Sequence, residues 1–395
     1  MLAKTIHAYR VAFSGLPREV WLLTAVLLVS RCGTMVLPFL AVYLNQEQGY
    51  SEPAAGRMLA VYGAGAIFGS YFGGRLAQRV GALRVVAGSL LLSAPGFLAI
   101  PFTTTFFGLC LALLYLSVVI EALRPAVTTA VSLLSPPEVL PRAFALNRLA
   151  FNLGFSVGPT VGGILAHYDY RLLFWVNATF AALGGLTAIV LFRKQLVVGL
   201  RPNEPAPLHI SAGPLRDRTF LWYLGLQLAS AIVFFQLIST MPLYWKNEYR
   251  FEESQIGLLF AVNTLTIVCF EMVFINAVAR HRTLHLIAVG TLIVCFGFGL
   301  TALGRTFPFA IGVVLVWTMG EMLTAPFGFT YAAGRSDASN RGAYMGLMAM
   351  TISMALVLAP LVGTALYAVS PSLPWYGAFV MAGVLPVGYL LLDRR

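Results

Sequence analysis

Apolar residues along this chain gather into twelve long runs, not into the short periodic stretches of a water-soluble domain. The runs cover approximately residues 20–44, 53–75, 84–102, 106–134, 147–166, 172–192, 220–244, 255–279, 284–302, 308–333, 344–366 and 375–392. A helix needs ~20 apolar residues to cross the hydrocarbon core of a bilayer, so each run predicts a membrane-spanning helix. In lipid every backbone amide must find its partner within the protein, so Gly and Pro inside the runs predict kinks and close helix contacts, not loops. The expected fold is therefore all-α and integral to the membrane, with twelve transmembrane helices.

The second half of the pattern repeats the first at an offset of 201 residues. Without a gap, Tyr43, Glu47, Tyr50, Glu52, Gly56, Ala60 and Val61 fall on Tyr244, Glu248, Phe251, Glu253, Gly257, Ala261 and Val262. Pro125 falls on Pro326, and Pro159, Val161 and Gly162 fall on Pro360, Val362 and Gly363. Two long, similar, apolar halves are the mark of a transporter that rocks one half against the other. The expected organisation is a six-helix half over 1–193, a polar cytoplasmic linker over 194–219 containing Arg201-Pro-Asn-Glu-Pro-Ala-Pro207, and a second six-helix half over 220–395. No other stretch is long enough for a soluble domain.

Composition agrees with a bilayer setting, since 59% of the residues are hydrophobic and only 10% are charged. Charge then supplies orientation, because Lys and Arg are retained on the cytoplasmic side. Of the 26 basic residues, nineteen fall at the termini and in the loops sharing their side, and five (Arg57, Arg171, Lys246, Arg250 and Arg305) on the opposite side. Both termini are thus expected inside the cell, in the inner (plasma) membrane of a bacterium. The net charge of +11 is spread over short loops and forms no contiguous patch, which argues against nucleic acid as a partner. The expected partners are a small-molecule substrate, protons and the lipid bilayer, with the chain acting as a monomer.

The first run is too long for a signal-peptide core and has no small-residue cleavage site, so it reads as a retained anchor. Cys32, Cys110, Cys269 and Cys295 all fall within runs and form no CxxC pair, and the five histidines are scattered. Small apolar packing is the reading of these cysteines; neither a metal site nor a cofactor is expected. No nucleophile and base pair or metal cluster suggests a membrane-embedded enzyme.

Between the second and third runs stands Gly74-Arg-Leu-Ala-Gln78-Arg79-Val-Gly81-Ala-Leu-Arg84. This stretch resembles the signature loop of the major facilitator superfamily, in which a glycine-permitted turn carries charges that latch the cytoplasmic helix ends. Gln78 stands where that loop has an acid, so the resemblance implies a latch that is weaker or rebuilt from hydrogen bonds. The fifth run carries Asn152-Leu-Gly154-Phe-Ser-Val-Gly158-Pro159-Thr-Val-Gly162-Gly163, similar to the antiporter motif of proton-driven exporters in that superfamily. Glycines at four-residue spacing lie on one helix face and admit a neighbouring helix, while Pro159 bends the span. Trp317-Thr-Met-Gly320-Glu321 through Pro326, and Ser30-Arg31-Cys-Gly33 followed by Leu37-Pro38, resemble a drug and dipeptide exporter branch and, more faintly, proton-coupled oligopeptide transporters. The acidic pair that precedes the first-helix arginine in the peptide importers is absent.

Five ionisable residues fall well inside the runs: Arg31, Glu121, Arg124, Glu271 and Glu321. A charge at the bilayer centre costs ~3 kcal/mol on insertion scales, so such residues face a partner or a water-filled cavity. Glu121 and Arg124, three residues apart, can pair along one helix face, as a structural ion pair or as part of a binding group. With Arg31 they leave the first half two positive charges against one negative, while the second half offers Glu271 and Glu321. That layout suits a zwitterion, its carboxylate on Arg31 and Arg124 and its amine on Glu321. Gln227, Gln236 and Asn263 are candidate neutral contacts, and Tyr115, Phe235, Trp317 and Phe327 candidate aromatic walls. Burial favours a neutral carboxyl and a nearby arginine a charged one, so Glu321 and Glu121, then Glu271, are the expected proton carriers. The expected function is proton-coupled export of a small organic molecule, zwitterionic, peptide-like or drug-like, by alternating access. Proton-coupled uptake of short peptides and lipid flipping are the alternatives.

Overall fold

The computed structural model describes residues 10–11, 13–36, 39–40, 43–198 and 213–393, and the described chain is built of helices. They are α1 (Arg18–Cys32), α2 (Glu52–Val80), α3 (Ala82–Ala99), α4 (Phe106–Glu121), α5 (Leu123–Leu134), α6 (Leu140–Tyr168), α7 (Arg171–Leu191) and the short α8 (Arg193–Val198). The second half contributes α9 (Arg218–Phe234), α10 (Thr240–Asn247), α11 (Glu253–Val278), α12 (Thr283–Leu300), α13 (Phe307–Gly334), α14 (Arg341–Val369) and α15 (Leu373–Asp393). Each of the twelve apolar runs is mainly helical where described, and among the described residues nine helical segments are long and apolar enough to cross a membrane.

The helix bounds carry the repeat. Shifted by 201 residues, α3 becomes α12 and α6 becomes α14 to the residue, while α4 and α13 share a start. Interruptions repeat as well: α1 stops before a turn at Gly33–Met35, and α9 stops before a 3-10 turn at Phe235–Ile238. One repeat pair differs. The first-half element breaks at Ala122 into α4 and α5, whereas α13 runs unbroken through Pro326. Proline has no amide hydrogen and its ring displaces the carbonyl four residues back, which for Pro125 is that of Glu121, the last residue of α4.

The described residues form two compact units. One comprises Leu16–Ser211 with Ser336–Met350, the other Met1–Gly15, Ala212–Arg335 and Thr351–Arg395. The halves expected from the repeat differ from these units at Met1–Gly15 and at Ser336–Met350, the latter because of a tight contact. A side chain at Gly74 would strike the backbone of Gly342 and Gly346, so the end of α2 and the start of α14 pack backbone to backbone. Of the expected linker, 199–212 lie outside the described residues; Arg193–Val198 is helical and Arg218 already opens α9.

Each unit has its own apolar core at repeat-equivalent positions. Tyr43 meets Phe174 edge-on with ring centroids 4.7 Å apart. Tyr244 meets Trp375 in the same way at 5.2 Å. Phe72, Phe107, Val190 and Trp222 are more than half exposed on helix surfaces, as expected of side chains facing lipid.

Candidate functional site

The charges of the first-half unit converge on the α4–α5 break. Arg124 Nη2 lies 3.6 Å from Glu121 Oε2, with both side chains mostly buried. Arg31, at the end of α1, lies within electrostatic range of Arg124, Glu121 and Tyr62, the last on α2. Its guanidinium sits 4.5 Å from the Phe151 ring centroid of α6, a cation–π contact that offsets part of the cost of burial. Two guanidinium groups against one carboxylate leave this cluster with an excess of positive charge, and the planar fork of arginine is a geometry that can meet a carboxylate.

Helices α6 and α7 hold the turn next to Arg31. A side chain at Gly154 would strike Arg31 Cβ, one at Gly158 the Thr34 backbone, and one at Gly162 would lie 3.1 Å from Met35 Cβ. The α6 glycines Gly154, Gly158 and Gly162 therefore lie along the interruption of the first helix; the surroundings of Pro159 and Gly163 lie outside the described residues. On α7, Asn177 Oδ1 accepts from Met35 N at 3.1 Å and from Val36 N at 3.4 Å. It thereby satisfies amide hydrogens that the broken helix leaves without an intrahelical partner. Nothing in the sequence alone singled out Phe151 or Asn177.

The signature loop is a helical end. Gly81, with φ +102, is the shared boundary of α2 and α3, a conformation that needs glycine. The Gln78 amide donates to the Ser339 carbonyl, a hydrogen bond beside the Gly342 contact. Arg341 Nη1 reaches the Ser132 carbonyl at 3.0 Å. Arg84 Nε donates to Leu196 O at 2.8 Å, tying α3 to α8, while Arg79 is exposed.

In the second-half unit Glu321 sits mid-way along α13, partly buried, and is held by an amide. Asn263 Nδ2 of α11 donates to Glu321 Oε2 at 2.9 Å and to Thr318 Oγ1 at 3.0 Å. Thr318 in turn donates to Val314 O at 2.6 Å. Asn263 occupies the position that Tyr62 holds in the first half. Glu271, on the same helix, is 1% exposed.

The other expected contacts face inward to the protein. Gln236 donates to Ala359 O at 2.8 Å and Ile232 O at 3.2 Å and accepts from Thr240 at 2.6 Å. Its amide thus closes the α9–α10 interruption against α14. Gln227 Oε1 lies 3.5 Å from the Tyr223 hydroxyl and 3.4 Å from that of Tyr389. Trp317 and Phe327 are fully buried in the core and Tyr115 is exposed with its hydroxyl on Leu92 O, so these rings pack or face outward and do not line a site. Among the described residues no three His, Cys, Asp or Glu side chains gather as metal ligands.

Outside the membrane, Asp217 caps the start of α9 through Phe220 N at 3.0 Å and grips Arg335 through two bonds of 2.9 Å. Those bonds hold the Arg335 guanidinium above its ordinary range.

A family model described as Major Facilitator Superfamily matches residues 22–351. The multidrug resistance protein MdtH of Cronobacter sakazakii is 24% identical over 376 residues, covering 91% of this chain and 89% of that protein. An uncharacterized MFS-type transporter, YqjV of Bacillus subtilis, is 23% identical over 84% of this chain and 81% of its own length. Among solved structures, a bacterial homologue of the iron transporter ferroportin in an outward-facing state superposes with a TM-score of 0.75 at 18% identity, covering 96% of this chain and 100% of that one.

Proposed function

The chain belongs to the Major Facilitator Superfamily, a family of membrane transporters and not enzymes, and from that premise we propose that it is a proton-coupled exporter of small organic cations and zwitterions. The observation that carries this reading is Glu321, a carboxylate inside a membrane span held by a neutral amide with no arginine in its own turn. A proton and a substrate amine compete for it: protonation from outside weakens the amine's hold, and release of that proton to the cytoplasm resets the carboxylate. In the other unit, Arg31 and Arg124 form a separate cluster with an excess of positive charge, with Tyr62 beside them. Similarity over nine-tenths of the chain to a protein named for multidrug resistance, and the glycine face of α6, support export over uptake. Cytoplasmic termini and an inner-membrane location accord with the basic residues.

The test is transport in proteoliposomes under an imposed pH step with sodium controlled, using rhodamine B, a zwitterion, and its cationic ethyl ester. Flux of either dye that follows the pH step and is lost in Glu321→Gln supports the reading. Strict dependence on sodium with no response to pH overturns it.

A further inference from the structure

Glu321 is not held by a chance contact; its neighbour has only one way to face. Thr318 is fully buried, and its hydroxyl hydrogen is committed to Val314 O at 2.6 Å. Its oxygen can therefore only accept from a neighbouring side chain, and it accepts from Asn263 Nδ2 at 3.0 Å. That fixes the Asn263 amide with its nitrogen, not its oxygen, toward α13. The second hydrogen of the same nitrogen then reaches Glu321 Oε2 at 2.9 Å. Asn263 is 9% exposed, so rotation of the amide would place its oxygen against the carboxylate and the hydroxyl oxygen, two acceptor contacts in a low-dielectric setting. The chain Val314 carbonyl, Thr318 hydroxyl, Asn263 amide and Glu321 carboxylate is thus polarised in one direction.

We propose that Asn263 is the positioning residue of the cation site: through Thr318 it locks the Glu321 carboxylate in the orientation that meets a substrate amine. This deepens the reading of Glu321 given above and rests on it. A glutamate has three side-chain torsions, and a carboxylate freed of its donor must be re-oriented each time a cation binds. Among the described residues of the first half, the position equivalent to Asn263 is Tyr62, and Glu121 there lies beside Arg124.

The test is a double-mutant cycle on purified full-length protein, reading equilibrium binding of rhodamine B ethyl ester. A hydrogen bond to a charged group is worth roughly 10-fold in affinity, so Asn263→Leu is expected to weaken binding by about that factor with an unchanged melting temperature. Glu321→Gln should weaken it at least as much, and Asn263→Leu added to Glu321→Gln should change nothing further. Thr318→Val, which removes the lock without touching Asn263 or the acid, should weaken binding by about 3-fold, again only when Glu321 is present. Additive losses in the double variants, or wild-type affinity in both Asn263→Leu and Thr318→Val while Glu321→Gln is impaired, would overturn the positioning role and leave the Glu321 reading standing. Wild-type protein that binds no dye, or a Glu321→Gln variant that binds normally, removes the cation site itself and the positioning role with it.

Discussion

Two repeat-related regions solve the problem of a buried carboxylate in opposite ways. At the α4–α5 break, Glu121 is met by Arg124 at 3.6 Å with Arg31 nearby, so a charge is answered by charges. Along α13, Glu321 is met by the Asn263 amide at 2.9 Å, so a charge is answered by a dipole. The first arrangement sets guanidinium groups, which stay charged, beside its carboxylate; the second sets a neutral amide donor there. Near-identical helix boundaries thus support unlike chemistry, because the repeat fixes backbone positions while the side chains differ: Arg31 falls on Ile232, Arg124 on Ala325 and Tyr62 on Asn263, and the acids are one residue out of register, Glu121 falling on Met322 and Ile120 on Glu321.

The strongest way to break this contrast is to neutralise each acid. Glu321→Gln should abolish pH-driven flux with normal membrane insertion, whereas Glu121→Gln should retain gradient-driven transport of a purely cationic dye. If both variants respond alike in the proteoliposome assay, the two sites do not divide the work. Gly158→Leu should come next, since its side chain would enter the Thr34 backbone beside the Arg31 turn; overpacking of this kind costs ~1–3 kcal/mol, and turnover should fall with insertion preserved.

Removing a partner tests the ion pair itself. Arg124→Ala leaves Glu121 without its cation, and with side-chain exposures of 24% and 18% the pair lies between surface and interior. The expected loss is therefore ~1–3 kcal/mol in a thermal-unfolding assay, below that of a fully buried pair, with weaker binding of rhodamine B than of its ester. The prolines offer a finer comparison: Pro125→Ala returns an amide to the α4–α5 junction and should alter carboxylate binding, while Pro326→Ala should change little because α13 is already continuous.

The smallest effect is expected at Asp217 and Arg335, a pair whose first-half equivalents are Leu16 and Leu134. Asp217→Ala removes a helix cap and a bidentate contact, together about 1–2 kcal/mol, read as a lower melting temperature. Because the guanidinium is held above its ordinary range, its contribution is full at neutral pH and is lost only as pH rises through strongly alkaline values.

Much of this was legible in the residues alone. The length of the apolar runs dictates helices across a bilayer, the 201-residue repeat dictates paired boundaries, and Glu121 and Arg124 at a three-residue spacing dictate a pair, because each follows from local geometry along one helix. The partners across helices were not legible. That Asn263 holds Glu321, Asn177 caps the first-helix turn, Phe151 stacks on Arg31 and Gln236 closes its own interruption depends on residues 58, 142, 120 and 123 positions apart being brought within a hydrogen bond or ring contact. Helical periodicity tells which residues share a face; which neighbouring helix that face meets, and at what height, is decided only when the helices pack.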